Sequence, residues 1–143
     1  KTSAKIDRYK GKVIDQTYKY VRPQETGNKT DIRWLALYNG SVGLMVKGLP
    51  VFDGSVHHYD YALLDYYKGS QLHGKTDITK GDQIDLIVDH KQMGVGGDNS
   101  WGAKPHPKYT LPMDTTVYNL EYAIIPFNKN DELDALSRIN IDN

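Results

Sequence analysis

Apolar and polar positions alternate along most of the chain with a period close to two, the spacing of strands that bury one face. In DIRWLALYN (31–39), Ile32, Trp34, Ala36 and Tyr38 alternate with Arg33, Leu35 and Leu37. This predicts a strand buried on one face and partly covered on the other. Asn39-Gly40 then separates that run from VGLMVKG (42–48). Both turn residues tolerate positive φ, so the two strands are expected to be antiparallel neighbours in a hairpin. VHHYDY (56–61) reads as a further strand. Ala62, Leu63, Tyr66 and Tyr67 fall at helical spacing before Gly69, which predicts one short helix near 60–68. IDLIVDHKQMG (84–94) and TTVYNLEYAIIPF (115–127) return to alternation and read as strands. The charged stretch 128–143 reads as a helical turn or frayed end, a C-terminal tail or linker after a domain of residues 1–127.

Short strands joined by glycine and proline turns, with no helix long enough for parallel crossovers, predict an all-β fold: an antiparallel β-sandwich. The 143 residues hold one hydrophobic core. Eighteen basic and eighteen acidic residues cancel without forming a basic stripe, so no nucleic-acid partner is expected. No apolar run approaches the length of a membrane span, so no membrane partner is expected either. Lys1 opens the chain without a methionine or an apolar signal segment, so the chain reads as soluble and as a fragment of something longer. The absence of cysteine excludes disulfides and thiolate sites and leaves the compartment open, cytoplasmic or periplasmic. Eleven tyrosines against two phenylalanines and two tryptophans suit half-buried sheets and polar ligand surfaces alike.

The alternation breaks at QMGVGGDNSWGAKPHPKYTLP (92–112), where glycines, prolines and an indole share one run. Gly94, Gly96 and Gly97 are not followed by Lys-Ser/Thr or by a helix, which argues against a phosphate loop. They read as a structural loop at a strand end, with positive φ expected at Gly96 or Gly97. Asp98 and Asn99 are suited to holding such a loop by bonds from side chain to backbone. His57 and His58 point to opposite faces of a strand, and His73, His90 and His106 share no ligand spacing with them, so no protein metal site is expected. Glu25, Glu121 and Glu132 and the aspartates show no spacing of an acid and nucleophile pair, and no serine sits in a nucleophile elbow; no catalytic residue is assigned. A sandwich with an aromatic loop suits binding of a polar ring, whose C–H faces meet an indole while its hydroxyls meet Asp, Asn and Tyr.

QMGVGGDNSWG with HPKY and LP downstream, and YVRPQETGNKTDIRW upstream, resemble the C-terminal β-sandwich domain of glycoside hydrolase family 2 β-galactosidases. The similarity is ordered and spans nearly the whole chain. It implies a partial domain of the supersandwich, galactose mutarotase-like type. It also implies that the catalytic glutamates, and the magnesium and sodium ions of the parent enzyme, belong to other domains, so that this fragment needs no cofactor and is inactive alone. The tryptophan of the family's GGD-x-SW motif matches Trp101 and is implied to form the platform for the aglycone of lactose or another β-galactoside, with Asp98, Asn99 and Ser100 bracing it. Asn99 stands where relatives often carry an acidic residue. The partners so implied are the β-galactoside, the barrel of the same polypeptide and further copies in a homo-oligomer. An autonomous carbohydrate-binding or interaction module is the alternative that sandwich and tyrosines equally allow.

Overall fold

In the computed structural model of the chain, residues 5–16, 27–59, 80–94, 96–99 and 102–141 are described; the helix expected near 60–68 lies outside them. The first alternating run forms β1 (Lys29–Tyr38), and the turn after it leads into β2 (Val42–His57). Gly40 takes φ 102° in that turn. Asn39 contributes through its side chain instead, its Oδ1 accepting the N–H groups of Ser41 and Val42. The hairpin is antiparallel, as expected, with Tyr38 opposite Gly43 and Trp34 opposite Lys47.

β2 is a single strand where two were expected. VHHYDY does not begin a new element, because β2 runs from Val42 through Pro50 to His57. The interruption is absorbed by bulges. Lys47 pairs with Trp34 and Phe52 with Ile32, so residues 48–51 of β2 stand against Arg33 alone. A proline in such a bulge removes no ladder hydrogen bond. Two residues further, Thr30 and Asp31 of β1 stand against Asp53, and Asp31 takes φ 54°.

The first half of β2 is flanked by β1 and by β4 (Tyr122–Asn128), while its second half pairs with β3 (Asp85–Asp89); every pairing is antiparallel. Expected strands 84–94 and 115–127 are thus shortened to 85–89 and 122–128. Residues 115–121 follow side-chain ties instead of a ladder: Asp114 accepts from the backbone and hydroxyl of Thr116, and the Tyr118 hydroxyl donates to the Pro112 carbonyl at 2.6 Å. Among the described residues the α-helix is α1 (Leu133–Ser137), in the tail, which is tied to the sheet by the Lys47 ammonium donating to the Ile139 carbonyl.

Residues directly opposite in an antiparallel ladder share a face. One face of the sheet therefore carries Ala36, Met45 and Ile125, and the other Leu35, Val46 and Ile124. A sheet apolar on both faces is a layer of a sandwich, and the fold is that of an all-β sandwich fragment. Met45, Val46, Phe52, Val56, Tyr59 and Phe127 form its buried core. Gly43 lies between Tyr38 and Phe127 in one row, and the absence of a side chain there lets those rings stack at 5.9 Å. Among the described residues no helix is long and apolar enough to cross a membrane.

Candidate functional site

The glycine-rich run leaves the sheet at the end of β3 and returns through a short 3₁₀ turn at Pro107–Tyr109. Three ties shape it. At its root the Gly94 N–H donates to the Tyr109 carbonyl at 2.8 Å, so the two legs of the loop are bonded to each other. Midway, His106 Nε2 meets Asp98 Oδ1 at 2.8 Å. Near the tip, the Ala103 N–H donates to Asn99 Oδ1 at a long 3.4 Å. Asn99 therefore ties the loop from side chain to backbone, as its residue type suggests, whereas Asp98 ties it side chain to side chain through His106. Ser100 and Trp101 lie outside the described residues, but both are spanned in sequence by the Asn99–Ala103 bond and by the Asp98–His106 pair. That pair is well exposed, so its contribution is to hold geometry more than to add stability, about 1 kcal/mol at most.

The glycines work differently from the expectation. Neither Gly96 nor Gly97 has a φ in the left-handed region; Gly102, after Trp101, does, at 101°. Gly97 is required by proximity instead. A Cβ there would meet the carbonyl oxygens of Lys104 and Ala103, the latter at 2.7 Å, because the returning leg passes against its backbone. A Cβ on Gly94 would stand 3.3 Å from the Cβ atoms of Pro105 and Tyr109, while one on Gly96 would face open space.

A second group of residues, for which the sequence offered no signal, joins this loop to the sheet. Asp53 is buried on β2, and its Oδ2 accepts the Gln92 N–H at 2.9 Å while Oδ1 accepts the Asp31 N–H at 3.0 Å. Asp89 stands directly opposite Asp53 in the ladder. Burial, and then the Asp53 charge, push the Asp89 carboxyl above its ordinary value. On the returning side, the Tyr118 ring tilts against His90 at 5.5 Å.

The raised Asp89 pKa has a definite consequence for stability. The folded protein holds this proton more tightly than the unfolded chain, so the contribution is favourable below pH 3.8 and is lost as pH rises through the raised value. Asp89→Asn is expected to raise Tm at pH 7 by about 1–4 °C and to have less effect at acid pH. Thermal unfolding of both proteins across pH 3–8 checks this; an equal shift at every pH would remove the electrostatic cause.

No three His, Cys, Asp or Glu side chains converge among the described residues. The site as described is a braced loop and its anchor.

The sequence profile of the family described as "Beta galactosidase small chain" matches residues 1–124. The chain is 43% identical over 120 residues to a β-galactosidase of Priestia megaterium, an alignment covering 83% of this chain and 11% of that protein. It is 33% identical over 116 residues to one of Halalkalibacterium halodurans, covering 79% of this chain and 11% of that protein. It is also 35% identical over 115 residues to β-galactosidase BgaC of Bifidobacterium adolescentis, covering 78% of this chain and 10% of that protein. The chain thus spans about a tenth of the length of these relatives. By the profile match across most of its length, it belongs to the β-galactosidase small-chain family.

Proposed function

We propose that this chain is a noncatalytic C-terminal part of a glycoside hydrolase family 2 β-galactosidase, and that its 94–109 loop delivers Trp101 to the aglycone side of the active site. In this reading the parent enzyme performs retaining hydrolysis of terminal β-galactosides with two carboxylates of a barrel domain, which also holds the metal ions. The indole offers an apolar face to the C–H face of the aglycone sugar, and stacking of that kind holds the leaving sugar or an acceptor without touching the reacting bond. What supports the reading is the bracing of the loop on both sides of Trp101. The legs are bonded at Gly94–Tyr109 and cross-linked at Asp98–His106. Ties between the two legs of a loop are what a stacking platform carried on it would require.

The test compares lactose with an aryl galactoside in the complete β-galactosidase polypeptide. Trp101→Ala is expected to lower kcat/KM for lactose several-fold, from about 1 kcal/mol of lost stacking, and to leave the aryl galactoside within about twofold. Equal losses on both substrates together with a lowered Tm would make Trp101 a packing residue.

A further inference from the structure

We infer that Asp53 is the positioning residue that fixes the Trp101 loop to the central strand, acting through the backbone of Gln92. The inference rests on the platform reading of Trp101 and goes beyond it, since Asp53 is far from the loop in sequence. Its side chain is buried, and its two oxygens are divided between two donors: Oδ1 takes the Asp31 N–H on β1, and Oδ2 takes the Gln92 N–H just past β3. Two residues after Gln92, the Gly94 N–H binds the returning leg at Tyr109. The loop's root is therefore gripped at alternate residues, once by the sheet and once by its own far leg.

A structural reading of Asp53 would rest on the Asp31 bond alone, which closes the bulge in β1. The second oxygen distinguishes the two. A bulge closure needs one acceptor, and a carboxylate supplies another to a segment that belongs to neither partner strand of that bulge. The arrangement also places a negative charge against Asp89, an unfavourable pairing across a ladder. That cost is offset by the two bonds its oxygens make.

The experiment uses the complete β-galactosidase polypeptide with Asp53→Ala, Asp53→Asn, Trp101→Ala and the double variant Asp53→Ala/Trp101→Ala. The readouts are the lactose to aryl galactoside ratio of kcat/KM and hydrogen exchange of peptides covering 92–103. Asp53→Ala is expected to lower the ratio about fivefold and to speed exchange of those peptides about tenfold, the size of one lost charge-assisted hydrogen bond. Asp53→Asn keeps one acceptor oxygen and is expected to fall between wild type and Asp53→Ala. It also serves where the alanine variant does not fold. The double variant is expected to match Trp101→Ala in the ratio, because a displaced loop has no platform left to misplace. A lowered ratio in Trp101→Ala with an unchanged ratio in both Asp53 variants would overturn the Asp53 assignment and leave the platform reading intact. An unchanged ratio in Trp101→Ala would overturn the platform reading itself, and Asp53 with it.

Discussion

Phe52→Ala is expected to destabilise the chain by about 3–5 kcal/mol, the range found when a large buried aromatic is deleted. Phe52 is 1% exposed, on β2 where the ladder to β1 changes register. Its ring lies against backbone on two sides. A Cβ on Gly48 would stand 2.9 Å from its Cδ1, and a Cβ on Gly54 3.3 Å from its Cε2. Cavities lined by flexible side chains partly collapse when a neighbour is removed, but main chain held in a ladder has little freedom to do so. The cost therefore belongs at the upper part of the range. Denaturant unfolding followed by circular dichroism measures it, with Tyr38→Ala as a comparison, since Tyr38 is 49% exposed and its loss is expected to cost clearly less. Equal costs for the two variants would show that the ring is not held as described.

Which parts of this fold were legible in the sequence follows from where side-chain pattern and backbone geometry agree. β1 and the turn after it were readable because alternation and the Asn39-Gly40 pair point to the same hairpin. β2 was not readable as one strand, because Gly48 and Pro50 look like punctuation. Their bulge lies opposite Arg33, and the strand resumes with Phe52 in the core. The segment 115–121 erred the other way. Its alternation is sound, but Thr116 and Tyr118 spend their polar groups on Asp114 and Pro112, and no ladder forms.

The candidate site was half legible. Glycines, Asp98 and Asn99 announced a loop, and the loop is there, braced by two of those residues. The partner His106 was noticed only as a histidine without ligand spacing, since a contact across eight residues of irregular chain leaves no periodic trace. Asp53 was invisible for a stronger reason. An Asp-Gly pair between two expected strands reads as a turn, and what makes Asp53 an anchor is the approach of Gln92 from 39 residues away.

Gly97→Ala is the substitution expected to act most strongly on the loop. The required absence of a Cβ at this position arises from close approach and not from an unusual φ, so the effect depends on the returning leg alone. The atoms in the way are the carbonyl oxygens of Lys104 and Ala103 and the Ala103 carbonyl carbon at 2.8 Å, all main chain, none able to swing aside. The legs must part, at a cost of about 1–3 kcal/mol for overpacking, and they part between the Gly94–Tyr109 bond and the Asn99–Ala103 bond. In the complete β-galactosidase polypeptide the loss of lactose kcat/KM relative to an aryl galactoside is expected to approach that of Trp101→Ala, several-fold, with Tm little changed because the sheet is untouched. Gly96→Ala is the control: it meets nothing within 4 Å, takes no left-handed φ, and is expected to behave as wild type. If the two alanine variants cannot be told apart on lactose, the close passage of the legs at Gly97 does not govern the loop; if Gly97→Ala lowers both substrates and Tm together, the loop is part of the fold's stability and not a separate presenting element.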